Sequence, residues 1–322
     1  MTAPPVAHPA ELGRARLRKE DARLITGQTN WTDNIVLPGL LHMAFLRSPH
    51  AHAKITRVNV APARSRPGVI AAFSGADFED EQGSLPCAWP VTPDIVIPNH
   101  PPMAVDEVRY VGEAVAVVVA RDRYEAADAL EAIEVDYEPL PPVLDIRTAL
   151  DEDSPKVHEA GNKSFVWPFG NGDIEAAFRD APVVLERTYR QQRLIPCAME
   201  PRAVVAWCEG DEFTIWSATQ IPHVLRVMLA LVTGIPEQNI RVIAPDVGGG
   251  FGSKLQVTAE EVLAVLVTRK LGRPVKWTES RSEGNMTVHH GRDQWQKIRI
   301  APTPTAGSAA WRSTCSLTWA LT

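Results

Sequence analysis

Polar and apolar residues sort into two strand-and-helix blocks along the chain. Leu40 to Arg47 and Ile55 to Val60 read as strands, and in the second Thr56, Val58 and Val60 fall on one face with a period of two. Pro67-Gly68 turns the chain into Val69 to Phe73, another strand. Tyr110 to Val119 is a continuous apolar run, the pattern of a strand covered on both faces. Arg121 to Glu131 carries Ala and Leu on one side and acidic residues on the other, as a helix does, and Ile133 to Tyr137 returns as a strand. The second block opens with Asp173 as the N-cap of a short helix over Ile174 to Arg179. A strand over Val183 to Arg190 follows, then a hairpin of Ala203 to Cys208 and Phe213 to Ser217 about Glu209-Gly210-Asp211. Pro222 starts a helix that Gly234 stops after Thr233. Ile240 to Ala244 is a strand, and Thr258-Ala-Glu-Glu261 is a capping box opening a helix that ends at Leu271 before Gly272 and Pro274. Gln296 to Ile300 is the last patterned strand.

This order predicts an α/β (α+β) chain in two folded parts, residues 21–142 and 173–301. Residues 1–20, Pro- and Ala-rich and then basic, are expected to form a flexible tail. The polar, Pro- and Gly-punctuated stretch 143–172 is expected to link the two parts, and 83–104, rich in proline, to be a long ordered loop.

Composition narrows the function classes. The 322 residues are 45% hydrophobic and 22% charged, an ordinary globular balance. A net charge of −6 gives no basic field for nucleic acid or anionic lipid. No apolar run approaches a membrane span and no signal peptide is visible, so a cytoplasmic location is expected. The four cysteines are far apart, which indicates neither a zinc site nor a disulfide framework. His50 and His52 would share a strand face, but without a third ligand nearby a structural role is the stronger reading, and no metal ligands are assigned.

The densest chemical signal is Pro245-Asp-Val-Gly-Gly-Gly-Phe-Gly-Ser-Lys254, lying between a strand and a helix. Glycines there allow φ > 0 and close approach, and successive amides in such a turn can cradle an anion. A tight strand-to-helix connection without ligand is the competing reading. The phosphate-loop pattern fails, because Gly252 is followed by Ser253 and then Lys254, and the dinucleotide pattern fails at Ser253.

Several stretches together resemble one family. Arg23-Leu-Ile-Thr-Gly27, Ser48-Pro-His-Ala-His52 and Arg109-Tyr-Val-Gly-Glu-Ala114 look like the a/b hammerhead domain of molybdenum hydroxylases. Ala198-Met-Glu-Pro-Arg202, Ala218-Thr-Gln-Ile-Pro-His223 and Val247-Gly-Gly-Gly-Phe-Gly252 resemble the start of their molybdopterin-binding domain. The family is xanthine dehydrogenase/aldehyde oxidase, with the strongest likeness to the large subunit of aerobic carbon monoxide dehydrogenase.

The resemblance implies an oxidoreductase that hydroxylates an aldehyde, an N-heterocycle or carbon monoxide with oxygen from water. It implies a molybdenum–molybdopterin cytosine dinucleotide cofactor and electron transfer to iron–sulfur and FAD-binding partner subunits. Gln220 would donate to an oxo ligand, and Gly249, Gly250, Phe251 and Gly252 would line the cofactor. His223 is expected to be a packed histidine. Leu255 stands where purine hydroxylases have a substrate-orienting Glu, which turns the expectation away from purines. The family's Glu base and most dinucleotide contacts belong to a region with no counterpart here. No complete catalytic set is therefore assigned, and the chain is expected to be inactive alone, with a split-enzyme half or a non-catalytic partner-binding module as alternatives.

Residues 302–322 lack periodicity. Codons permitted for Trp311 onward, read one base earlier, spell Leu-Glu-Val-Asp-Leu-Leu, an amphipathic strand. A frame change near Pro302 is the expectation for this segment.

Overall fold

The computed structural model describes residues 13, 15–87, 90–302 and 308–317, so most of the expected tail, 1–12 and 14, and part of the final segment, 303–307 and 318–322, lie outside the described residues. In chain order the elements are α1 (Asp21–Ile25), β1 (Leu41–Arg47), β2 (Ala53–Asn59), α2 (Ala61–Arg64), β3 (Val69–Ser74), β4 (Glu107–Val108), β5 (Ala114–Ala120), α3 (Arg123–Leu130) and β6 (Glu134–Pro139). The second half adds α4 (Ile174–Arg179), β7 (Leu185–Leu194), β8 (Ala203–Glu209), β9 (Glu212–Ser217), α5 (Pro222–Thr233) and β10 (Ile240–Ile243). It continues with α6 (Ala259–Leu271), β11 (Val275–Thr278), α7 (Arg281–Thr287), β12 (Gly291–Pro302) and β13 (Ser308–Leu317). The described residues of 143–172 form neither helix nor strand.

A seven-stranded sheet in the order β10-β9-β8-β11-β1-β5-β3 runs through both halves of the chain. The seam is a parallel pairing of β1 with β11, Leu41 beside Val275 and His42 beside Lys276. β5 is buried over its whole length, as its unbroken apolar run requires. On one face α2 and α3 cover Ala116, Val118 and Ala120. On the other, α5 and α6 pack Leu225, Leu229, Leu263 and Leu266 over Met43, Val117, Val204 and Ile215. Every residue of α6 from Glu260 to Thr268 is buried, the mark of a helix enclosed on all sides. Two smaller sheets, β4-β2-β6 and β13-β12-β7, flank this core. Among the described residues no helix is long and apolar enough to cross a membrane.

The caps fall where the sequence places them. Asp173 accepts from Ala176, and Gly234 and Gly272 end α5 and α6 in left-handed conformation; the structure adds Asp122, whose side chain accepts from the N–H groups of Tyr124 and Glu125 at the start of α3.

Two expectations need correction. In β2 the register shifts between Ile55 and Arg57. That bulge leaves Thr56 exposed, its hydroxyl donating to the Asp136 carbonyl at 3.0 Å, while Ile55 and Val58 turn together onto Ala53, Val108 and Val115. Thr56, Val58 and Val60 therefore do not share a face. Residues 110–113 are a turn before β5, closed by the Arg109 N–H on the buried Glu113 carboxylate at 2.6 Å, with Gly112 at φ 103°. Burial pushes the Glu113 carboxyl up to about 7. The unperiodic final segment enters β13, which pairs antiparallel with β12 from Gln294↔Leu317 to Pro302↔Ser308.

Behind the seam lies a buried ionic network. Arg47 of β1 reaches Glu260 at 2.7 Å and Glu283 at 2.9 Å. Arg202 reaches Glu279 at 2.6 Å and the same Glu260 at 3.4 Å. The two guanidinium carbons lie 5.9 Å (Arg47) and 5.5 Å (Arg202) from the Trp277 ring centre. Burial alone would raise the Glu260 carboxyl, but Arg202 and Arg47 outweigh it and hold the group at about 2.

Glu260→Gln is expected to destabilise the chain by about 3–5 kcal/mol, because two buried guanidinium groups lose their shared counter-charge. The ionised carboxylate stabilises the fold above its unfolded value of 4.5, and that contribution is lost as the pH falls towards about 2. Denaturant midpoints measured across this acid range will show the loss in the wild type and a flatter profile in the variant.

Candidate functional site

The glycine-rich loop leaves β10 at the edge of the large sheet and is held at its entry by the N-terminal segment. The Asp246 N–H donates to the Asn30 carbonyl at 3.1 Å, and the Asp246 carboxylate accepts the Asn30 N–H at 2.9 Å and the Arg23 guanidinium. The Arg23 bond holds the Asp246 carboxyl below the usual range. The backbone then passes through Gly249 at φ 100°, Phe251 at φ 52° and Gly252 at φ 90°. Phe251 is a non-glycine residue in the left-handed region, a conformation that persists only where surroundings impose it.

Two side chains impose it. Gln220 lies between β9 and α5, its N–H donating to the Lys254 carbonyl at 2.9 Å. Its Oε1 accepts the N–H groups of Gly252 at 3.1 Å and Lys254 at 3.4 Å. Two backbone donors thus fix which end of the carboxamide is oxygen, and Nε2 has no acceptor among the described residues. Glu200 holds the other side. Its Oε2 accepts the Gly248 N–H at 2.7 Å and the Lys254 Nζ at 3.0 Å. Burial lowers the Lys254 ammonium's affinity for its proton, and the bond to Glu200 acts in the opposite direction.

Between these anchors the N–H groups of Gly249, Gly250 and Phe251 meet no acceptor among the described residues. Such a row of free amides forms a concave donor surface for an anion. At two glycines an added Cβ would force a neighbour to move. A Cβ on Gly250 would lie 2.4 Å from Gln220 Cδ, and one on Gly248 would lie 2.5 Å from Glu200 Cβ. Gln220 and Phe251 (76% exposed) are open to solvent.

The candidate residues Gln220, Gly249, Gly250, Phe251 and Gly252 are therefore brought together. His223 is exposed on α5 and makes no hydrogen bond to the loop among the described residues. His52 is buried, with Nδ1 3.0 Å from the Pro141 carbonyl and Nε2 2.7 Å from the Glu107 carboxylate, and His50 packs on Tyr137 at 4.8 Å. These are structural contacts. Among the described residues no three His, Cys, Asp or Glu side chains gather as a metal site, and all four cysteines are free thiols. Reading the residues one stretch at a time missed Glu200, Asp246 and Arg23, and used Lys254 only to reject the phosphate-loop pattern. The one signal available was that Glu200 and Arg23 fall inside the motifs Ala198–Arg202 and Arg23–Gly27.

Comparison with known proteins places the chain in a family. The domain described as "Molybdopterin cofactor-binding domain" matches residues 157–310, and "Aldehyde oxidase and xanthine dehydrogenase, a/b hammerhead domain" matches residues 26–141. The fold and loop thus define a molybdopterin-binding protein, and the chain belongs to the xanthine dehydrogenase/aldehyde oxidase family, in its large-subunit branch. It is 37% identical over 309 residues to the carbon monoxide dehydrogenase large chain of Afipia carboxidovorans, covering 91% of this chain and 38% of that one. It is 36% identical to the nicotine 6-hydroxylase large subunit of Paenarthrobacter nicotinovorans, covering 93% and 37%. The structure of quinoline 2-oxidoreductase from Pseudomonas putida 86 superposes with a TM-score of 0.88 at 37% identity, covering 94% of this chain and 39% of that one. The chain spans about two fifths of the length of these relatives.

Gly250→Ala is expected to push the Gln220 carboxamide off its two backbone donors, with a loss of about 1–2 kcal/mol. A fall in the chemical-unfolding midpoint of that size, with secondary structure unchanged by circular dichroism, is the outcome to look for.

Proposed function

We propose that this chain supplies part of the cofactor site of a molybdenum hydroxylase, an oxidoreductase acting on a small electrophilic substrate with oxygen drawn from water. The observation that carries the reading is the row of acceptor-free amides at Gly249, Gly250 and Phe251 beside a Gln220 carboxamide whose donor end is left free. A molybdenum–molybdopterin group fits these residues, since it brings several oxygen acceptors and needs a surface no Cβ obstructs. When bound, it supplies a metal able to take two electrons from the substrate and to present an oxygen atom derived from water.

The chain's own part is binding and orientation. The three amides and Gln220 Nε2 hold oxygen acceptors of the group, and Gly252 keeps the backbone close. The cytosine dinucleotide form is the one proposed, because of the likeness to carbon monoxide dehydrogenase large chains. Leu255, at the end of the loop, offers no carboxylate to a purine, which favours an aldehyde, an N-heterocycle or carbon monoxide. Electrons would leave to iron–sulfur and FAD-binding subunits, in the cytoplasm.

A second reading has its own support. Gln220 and Phe251 are exposed, and on this reading the amide row would be one wall of a site that another polypeptide completes. The chain would then be inactive alone and complete its site against another polypeptide, or serve as a non-catalytic module on the partner subunits.

Both readings are tested by expressing the full chain in a host that makes the cofactor, alone and together with iron–sulfur and flavin subunits, and assaying molybdenum and released nucleotide. Molybdenum with cytidine monophosphate on hydrolysis, reduced severalfold in Gln220→Ala, is the expected result. Uptake only in the presence of another polypeptide selects the second reading. Absence of molybdenum under every condition sinks the proposal.

A further inference from the structure

Lys254 follows a glycine loop, where a phosphate-binding loop would aim a lysine at its ligand, yet here it is turned inward. Its side chain is 2% exposed and ends on the Glu200 carboxylate. The same oxygen, Oε2, accepts the Gly248 N–H at 2.7 Å and Lys254 Nζ at 3.0 Å, so one atom ties the two ends of the amide row together. The tie is reciprocal at Gly248, whose carbonyl accepts the Glu200 N–H at 3.1 Å. Glu200 is in turn fixed to the core. After Pro201, the Arg202 N–H and guanidinium both donate to Glu279 at 2.9 Å, and the Arg202 carbonyl accepts the Glu279 N–H at 2.9 Å. The second carboxylate oxygen, Oε1, is enclosed and has no hydrogen-bond partner among the described residues.

We propose that the Glu200–Lys254 pair is the staple that sets the spacing of the Gly249, Gly250 and Phe251 amides, which makes Glu200 a positioning residue for the anionic group they hold. What the amides hold rests on the function proposed above, but the staple does not. Gln220 braces only the Gly252 end of the row. Among the described residues Glu200 alone reaches both ends, and the buried ammonium gives its carboxylate a reason to stay there. The pair also accounts for Gly248, since any side chain at that position would meet Glu200.

The test is amide hydrogen exchange of the full chain, read at Gly248, Gly252, Ser253 and Lys254, in wild type, Glu200→Gln, Lys254→Met and the double variant. Each single substitution leaves a partner uncompensated and is expected to speed exchange at these amides about tenfold or more, with β8 and α6 unchanged. The double variant removes both charges and is expected to exchange no faster than either single, a non-additivity that generic loosening of the loop would not produce. Exchange within about twofold of wild type in the singles, or rates in the double that multiply those of the singles, would overturn the staple. Should Glu200→Gln fail to fold, Lys254→Met decides alone, by faster exchange confined to the loop or by none. A wild-type chain that takes up no molybdenum refutes the functional reading and leaves this result standing.

Discussion

Glu260 sits between two arginines that arrive from opposite parts of the chain, and the architecture turns on that meeting. Arg47 comes from the first strand of the hammerhead half and Arg202 from the approach to the first strand of the large sheet's second half. Two guanidinium groups buried beside one carboxylate would repel without it. With Glu279 and Glu283 added, each charge has a partner and the Trp277 ring fills the space between. Desolvating these groups costs several kcal/mol apiece, so the network earns little net stability and is better understood as a register lock. It fixes β1 against β11, and through β11 the two halves share one sheet.

The glycine loop inherits its shape from this arrangement. Asp246 is tied to Arg23 and Asn30 of the N-terminal segment, Gly248 and Lys254 to Glu200, and Gly252 to Gln220. Glu200 lies two residues from Arg202, so the same ionic network that joins the halves also steadies one side of the loop. Left-handed backbone at Gly249, Phe251 and Gly252 is affordable because these ties come from outside the loop.

Local rules made much of the fold legible. Asp173 and Thr258 announce helix starts, Gly234 and Gly272 announce stops, and the unbroken apolar run around Val115 to Val119 marks the central strand. The loop itself was visible as an unusual run of glycines, and Gln220 was found through the family resemblance. What stayed hidden is non-local. The bulge at Thr56 depends on the partner strand β6, the turn at 110–113 on a carboxylate meeting its own backbone, and β13 on pairing with β12. The inward turn of Lys254 could not be anticipated without knowing that Glu200, more than fifty residues earlier in the chain, lies beneath it.

The ties on the loop have a consequence for the order of events as the chain leaves the ribosome. Arg23, Glu200, Gln220 and Asp246 must all have emerged before the amide row can form, and Glu279, which clamps Arg202, emerges later still. Contacts of such sequence separation close late in folding. The cradle therefore cannot form until the segment as far as Glu279 has emerged, and any group it holds has to be delivered after that point.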